Sequence, residues 1–129
     1  MKIQRGFTLI ELLITIAIIA ILSLSFVPNL LNARRRAHQS VVQGYVRNAI
    51  NVVETKRELS TGSMQALDGA SCVDQVLGFS PAPQYIDSCA ISALFNGSEY
   101  TISTVLNSTI TGYSSLNYNS TTGNFTFLP

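Results

Sequence analysis

The chain contains no tryptophan, two methionines and one histidine, His38, in 129 residues. Only 12% of its residues are charged. All eight basic side chains precede residue 60, and beyond Asp87 a single acid remains, Glu99. The C-terminal half therefore offers no cationic surface for phosphate. Direct nucleic-acid binding gets no support from that half and would have to use the N-terminal half or an assembled surface. Gly-x-Ser-x-Gly, Cys-x-x-Cys, His-Glu-x-x-His and P-loop motifs are all missing. Asp68, Asp74 and Asp87 lack the spacing of a calcium loop. An enzyme is not expected, nor a metal or cofactor, and His38 reads as an exposed or interface residue of a helix. The formal net charge of +1 names no partner.

What the sequence has is a concentration of apolar residues near its start. Phe7 to Val27 spans 21 residues, roughly 31 Å as a helix and close to the thickness of a bilayer's hydrocarbon. That is too long for a secretory signal core, and no Ala-x-Ala site follows, so the segment is expected to be retained. Lys2 and Arg5 flank it on one side and Arg34, Arg35 and Arg36 on the other, which leaves its orientation tied on charge. Glu11 lies inside the run. An ionisable residue there marks a functional position by default. Pro28 interrupts the helical pattern, so a kink or local melting is expected from Leu24 to Pro28, with Ser23 and Ser25 available to the freed backbone groups.

Downstream, Val42, Tyr45, Val46, Ala49, Ile50 and Val53 form one apolar stripe at helical spacing. The helix should reach about Leu59, where Ser-Thr-Gly-Ser breaks it. Residues 60–90 read as a loop. Strand patterns follow at Ala90–Phe95 (ending in Asn96-Gly97, a hairpin signal), Glu99–Leu106, within Thr109–Tyr118, and at Asn124–Leu128. Within Glu99–Leu106, Tyr100, Ile102 and Val105 read as the apolar members. The expected fold is α+β: a long N-terminal helix, its first half transmembrane, packed on an antiparallel sheet of three or four strands. Cys72 and Cys89 read as a disulfide outside the cytoplasm, worth about 3 kcal/mol by loop closure. The alternative is two free buried thiols. Asn-x-Ser/Thr triplets at Asn96, Asn107, Asn119 and Asn124 arise easily in a Ser/Thr-rich sheet.

The string Gly6-Phe7-Thr8-Leu9-Ile10-Glu11-Leu12-Leu13, with Lys2 and Arg5 ahead and Pro28-Asn29-Leu30-Leu31 behind, resembles the class III signal of type IV pilins, in its type IVa branch. The likeness covers Arg5 to Arg36. It implies a leader, residues 1–6, removed by a prepilin peptidase between Gly6 and Phe7, with N-methylation of Phe7. It implies that Glu11 pairs with the Phe7 amine of a neighbouring subunit. It also implies a filament-core helix over 7–31, its amphipathic half over 32–59, a loop over 60–90 holding the disulfide, and a head over 91–129. The partners implied are further copies of the chain, minor pilins, the inner-membrane assembly platform and an outer-membrane secretin. The subunit would be a single-pass inner-membrane protein before assembly and part of an extracellular filament afterwards. Losing the leader removes Lys2 and Arg5, leaving six basic against seven acidic side chains. Arg34–Arg36 would then lie where core meets head, facing acids such as Glu54 or Glu58 of neighbours.

The function implied is a pilus subunit, with twitching motility, adhesion or natural transformation as properties of the fibre. The alternatives are a minor pilin or a type II secretion pseudopilin. Major pseudopilins carry a calcium site in C-terminal loops, and the lone Glu99 speaks against one here. Many type IVa pilins close a C-terminal loop with their disulfide, whereas here no cysteine follows Cys89.

Overall fold

The computed structural model describes residues 7–57 and 63–129. The chain divides into two compact units, Met1–Arg34 and Arg35–Pro129. Helix α1 runs from Leu9 to Thr55. In the first unit it buries nothing: every Phe, Leu, Ile and Val from Phe7 to Leu31 is more than half exposed. By length and composition α1 is able to cross a membrane.

Pro28 lies inside α1, which runs without interruption through it in the single subunit. Proline removes one backbone donor, to the Leu24 carbonyl, and the bonds around it hold. Neither expected serine reaches that carbonyl. Ser23 Oγ donates to the Ile19 carbonyl at 2.8 Å, and the Ser25 carbonyl accepts from Asn29 Nδ2 at 3.3 Å.

In the second unit the stripe does what its spacing requires. Val42, Tyr45, Val46, Ala49 and Val53 are buried, and Ile50 is half-buried. They pack in one core with Ile91, Tyr100, Ile102, Leu106 and Leu116 of the sheet and Met64, Leu67 and Phe79 of the loop. α1 ends at Thr55, short of Leu59; Arg57 Nε folds back onto Glu54 Oε2 at 3.1 Å, and Leu59 itself is outside the described residues.

The sheet is a meander of four antiparallel strands in chain order: β1 (Ile86–Leu94), β2 (Glu99–Leu106), β3 (Ser115–Asn119) and β4 (Asn124–Leu128). β1 starts at Ile86, ahead of the expected Ala90, so the sheet begins inside the stretch read as loop. A register irregularity between Ile86 and Ser88 explains the misreading. It places Asp87 and Ser88 in succession on the exposed side and breaks the alternation that marks a strand. In β2 the inward face is Tyr100, Ile102, Thr104 and Leu106, whereas Val105 is exposed. Strict alternation from Tyr100 overrides hydrophobicity there. Between β2 and β3 the chain makes one helical turn, α2 (Ser108–Thr111), capped by the Asn107 side chain and ended by Gly112 in the left-handed region.

The two edges of the sheet differ. The β1 edge is covered: Gly69 N donates to the Ile91 carbonyl, Ile91 N to the Ala70 carbonyl and Cys72 N to the Cys89 carbonyl. Cys72 and Cys89 are joined by a disulfide, which locks this strip onto β1. β4 pairs only with β3, so among the described residues its outer backbone groups are unpaired.

Candidate functional site

The start of α1 is built by four residues, Thr8-Leu9-Ile10-Glu11. A helix leaves its first N–H groups without partners, and a Thr followed three residues later by Glu satisfies two of them reciprocally. The structure shows that arrangement. Glu11 N donates to Thr8 Oγ1 at 3.3 Å, while Thr8 N donates to Glu11 Oε2 at 2.9 Å. Thr8 Oγ1 also donates to Glu11 Oε2, at 2.7 Å. The negative side chain sits at the positive end of the helix dipole. Glu11 Oε1 has no partner among the described residues. The carboxylate is thus oriented by its own chain through one oxygen and open through the other. Thr8 was not singled out from the sequence, although the Thr-x-x-Glu spacing was legible there.

Phe7 is exposed, beside this cap, and Gly6 lies outside the described residues. Arg34, Arg35 and Arg36 are exposed and make no ion pair among the described residues. Glu54, expected to face them from a neighbour, is engaged within its own chain. It accepts from Arg57 Nε and, at 3.0 Å, from the Tyr100 hydroxyl; Glu58 lies outside the described residues. Burial, then the hydrogen bond and charge of Glu54, raise the Tyr100 phenol above its ordinary range. Burial alone raises Tyr45, whose hydroxyl donates to the Cys72 carbonyl at 2.6 Å. His38 packs edge-on against Tyr85, with ring centroids 5.0 Å apart. Among the described residues, no group of His, Cys, Asp and Glu side chains gathers in a way that would hold a metal.

A long helix with an unburied apolar first part and a carboxylate in its first turn, continuing onto a four-stranded antiparallel meander, agrees with family comparison. The prokaryotic N-terminal methylation motif matches residues 1–27, and the Pilin A4 family matches residues 38–124. The chain belongs to the Pilin A4 family. Over 54 residues it is 56% identical to a type IV wide pilus major component, PilA4, of Thermus thermophilus. That alignment covers 42% of this chain and 41% of the relative, so the chain spans about two fifths of that curated protein. Among solved structures, a type IV pilin protein from Thermus thermophilus superposes with a TM-score of 0.59 at 28% identity, covering 70% of this chain and 98% of that one. A type IV-like competence pilin from the same organism gives 0.56 at 31% identity, covering 67% and 93%. As a type IV pilin the chain is a structural subunit and not an enzyme.

Proposed function

We propose that this pilin polymerises through α1 into an extracellular filament after a prepilin peptidase cuts between Gly6 and Phe7 and the new Phe7 amine is methylated. The observation that carries the proposal is the apolar surface of α1 from Phe7 to Leu31. It is exposed all round and carries one carboxylate, Glu11, in its first turn. A surface of that extent needs lipid or further apolar helices around it. The subunit waits as a single-pass inner-membrane protein, then leaves the bilayer for a bundle of like helices. There the free oxygen of Glu11 meets the Phe7 amine of a neighbour, and two opposite charges in low dielectric hold one register between subunits. The assembly platform, the secretin and minor pilins are the further partners of this reading.

The test is electron microscopy of filaments from a strain expressing Glu11→Ala. Leader cleavage should persist while filament yield falls; normal yield would remove the charge pair. Deleting the gene should abolish one fibre type. Intact fibres with lost protein secretion would instead assign a pseudopilin, and intact but fewer fibres a minor pilin. Similarity to a competence pilin favours DNA uptake as the first fibre-level phenotype to score, ahead of twitching and adhesion.

A further inference from the structure

The face of the sheet turned away from the core carries no charged side chain across β2, β3 and β4 from Thr101 onward. Cross-strand pairing sets two rows there, Thr101–Asn119–Asn124 and Ser103–Asn117–Thr126. Together with Thr122 of the β3–β4 turn and Tyr118 of β3 they line a cleft of about 360 Å³. That volume is in the range of small-molecule sites.

Two carboxamides in this cleft are fixed by their oxygens. Asn117 Oδ1 accepts from Ser103 Oγ at 2.8 Å. Asn119 Oδ1 accepts from the backbone N–H of Thr121 at 2.8 Å and of Thr122 at 3.4 Å. With the oxygens occupied, each Nδ2 is an oriented donor with no partner among the described residues. The two residues are i and i+2 on one strand, so the donors repeat at about 7 Å along the face. The Thr101 and Thr126 hydroxyls and the Asn124 carboxamide are also unpartnered among the described residues. Glu99, the acid at the start of β2, accepts from the Thr121 hydroxyl through Oε2 at 2.5 Å.

We propose that this cleft binds a neutral oligosaccharide. A polyol supplies acceptors for the fixed amide donors and donors for the hydroxyl oxygens, and it needs no counter-charge. A phosphate chain would need cations, which the lining does not have. An apolar ligand would leave the two fixed amide donors unpaired. A peptide strand would add at the sheet edge and leave this face untouched.

The full chain, isotope-labelled in phosphocholine micelles, is titrated with maltohexaose, cellohexaose and chitohexaose, and with trigalacturonate as the charged comparison. The Asn117 and Asn119 side-chain amide signals should shift saturably with at least one neutral hexaose and less with trigalacturonate. Asn117→Asp, which replaces the donor by a charged acceptor, should weaken that binding about tenfold or more, the scale of a lost polar contact. Ser88→Ala, on β1 outside the cleft, should leave it unchanged. Backbone amide spectra establish that both variants are folded. No shift with any of the three neutral hexaoses at about 10 mM, ten times a millimolar Kd, would overturn the proposal. So would equal binding by Asn117→Asp, or stronger binding of trigalacturonate.

Discussion

Glutamine at position 11 retains an acceptor for the Thr8 N–H but carries no charge, whereas alanine at position 8 keeps the charge and removes the cap. The two substitutions therefore separate the roles that meet at this carboxylate. Glu11→Gln should leave amide exchange in the first turn close to that of the parent and still depress filament yield. Thr8→Ala should speed exchange at Ile10 and Glu11 and leave yield closer to the parent. Parental yield from Glu11→Gln together with a fall in Thr8→Ala would mean that the cap, and not the charge, governs assembly. The second residue to test is Tyr100, which is almost fully buried and donates to Glu54. Its folded phenol titrates above the unfolded value of 10.0, so its contribution to stability is complete below pH 10 and is lost as pH rises beyond it. Tyr100→Phe should cost about 1 kcal/mol at neutral pH, the worth of a typical hydrogen bond. It should also flatten the alkaline fall in melting temperature, and thermal scans from pH 8 to about pH 11 measure both.

Among the elements, α1 was the most legible, because both halves announce themselves: the first by a long apolar run, the second by a stripe of period 3.6. The hairpin at Asn96-Gly97 and the strand Asn124–Leu128 were readable for the same kind of reason, a turn signal beside strict alternation. The start of β1 was not, since the irregularity at Ile86–Ser88 removes the alternation. Thr104 was not either, because only its register on β2 puts it inside, against Cys89 Sγ at 3.6 Å. The part played by Thr8 depends on a four-residue spacing that the long apolar run overshadows. The disulfide was legible as a pairing, but its place in the fold, fastening a strip of loop along β1, required the sheet. Replacing Cys72 and Cys89 together by alanine should lower stability by about 3 kcal/mol, the loop-closure value. Hydrogen exchange should rise first at Gly69, Ile91 and Cys72, whose amides make the strip's bonds to β1, and denaturant melts with exchange mass spectrometry check both effects.

For the whole molecule, no residue before Val42 enters the core of the second unit. The fragment 35–129 should therefore fold alone, remain soluble without detergent and form the same disulfide, whereas the full chain should need lipid or detergent. Far-ultraviolet dichroism and thiol titration of the fragment check this, and an unfolded or reduced fragment would show that the first part of α1 is needed for the head. The same unit has one covered sheet edge and one open edge, at β4. Counted as binding sites, its sheet is monovalent. Two copies that met along β4 would consume the one edge left open among the described residues, and growth in that direction would end at a pair. The sheet thus carries its own chain terminator, and in the proposed filament longer growth is left to the helix.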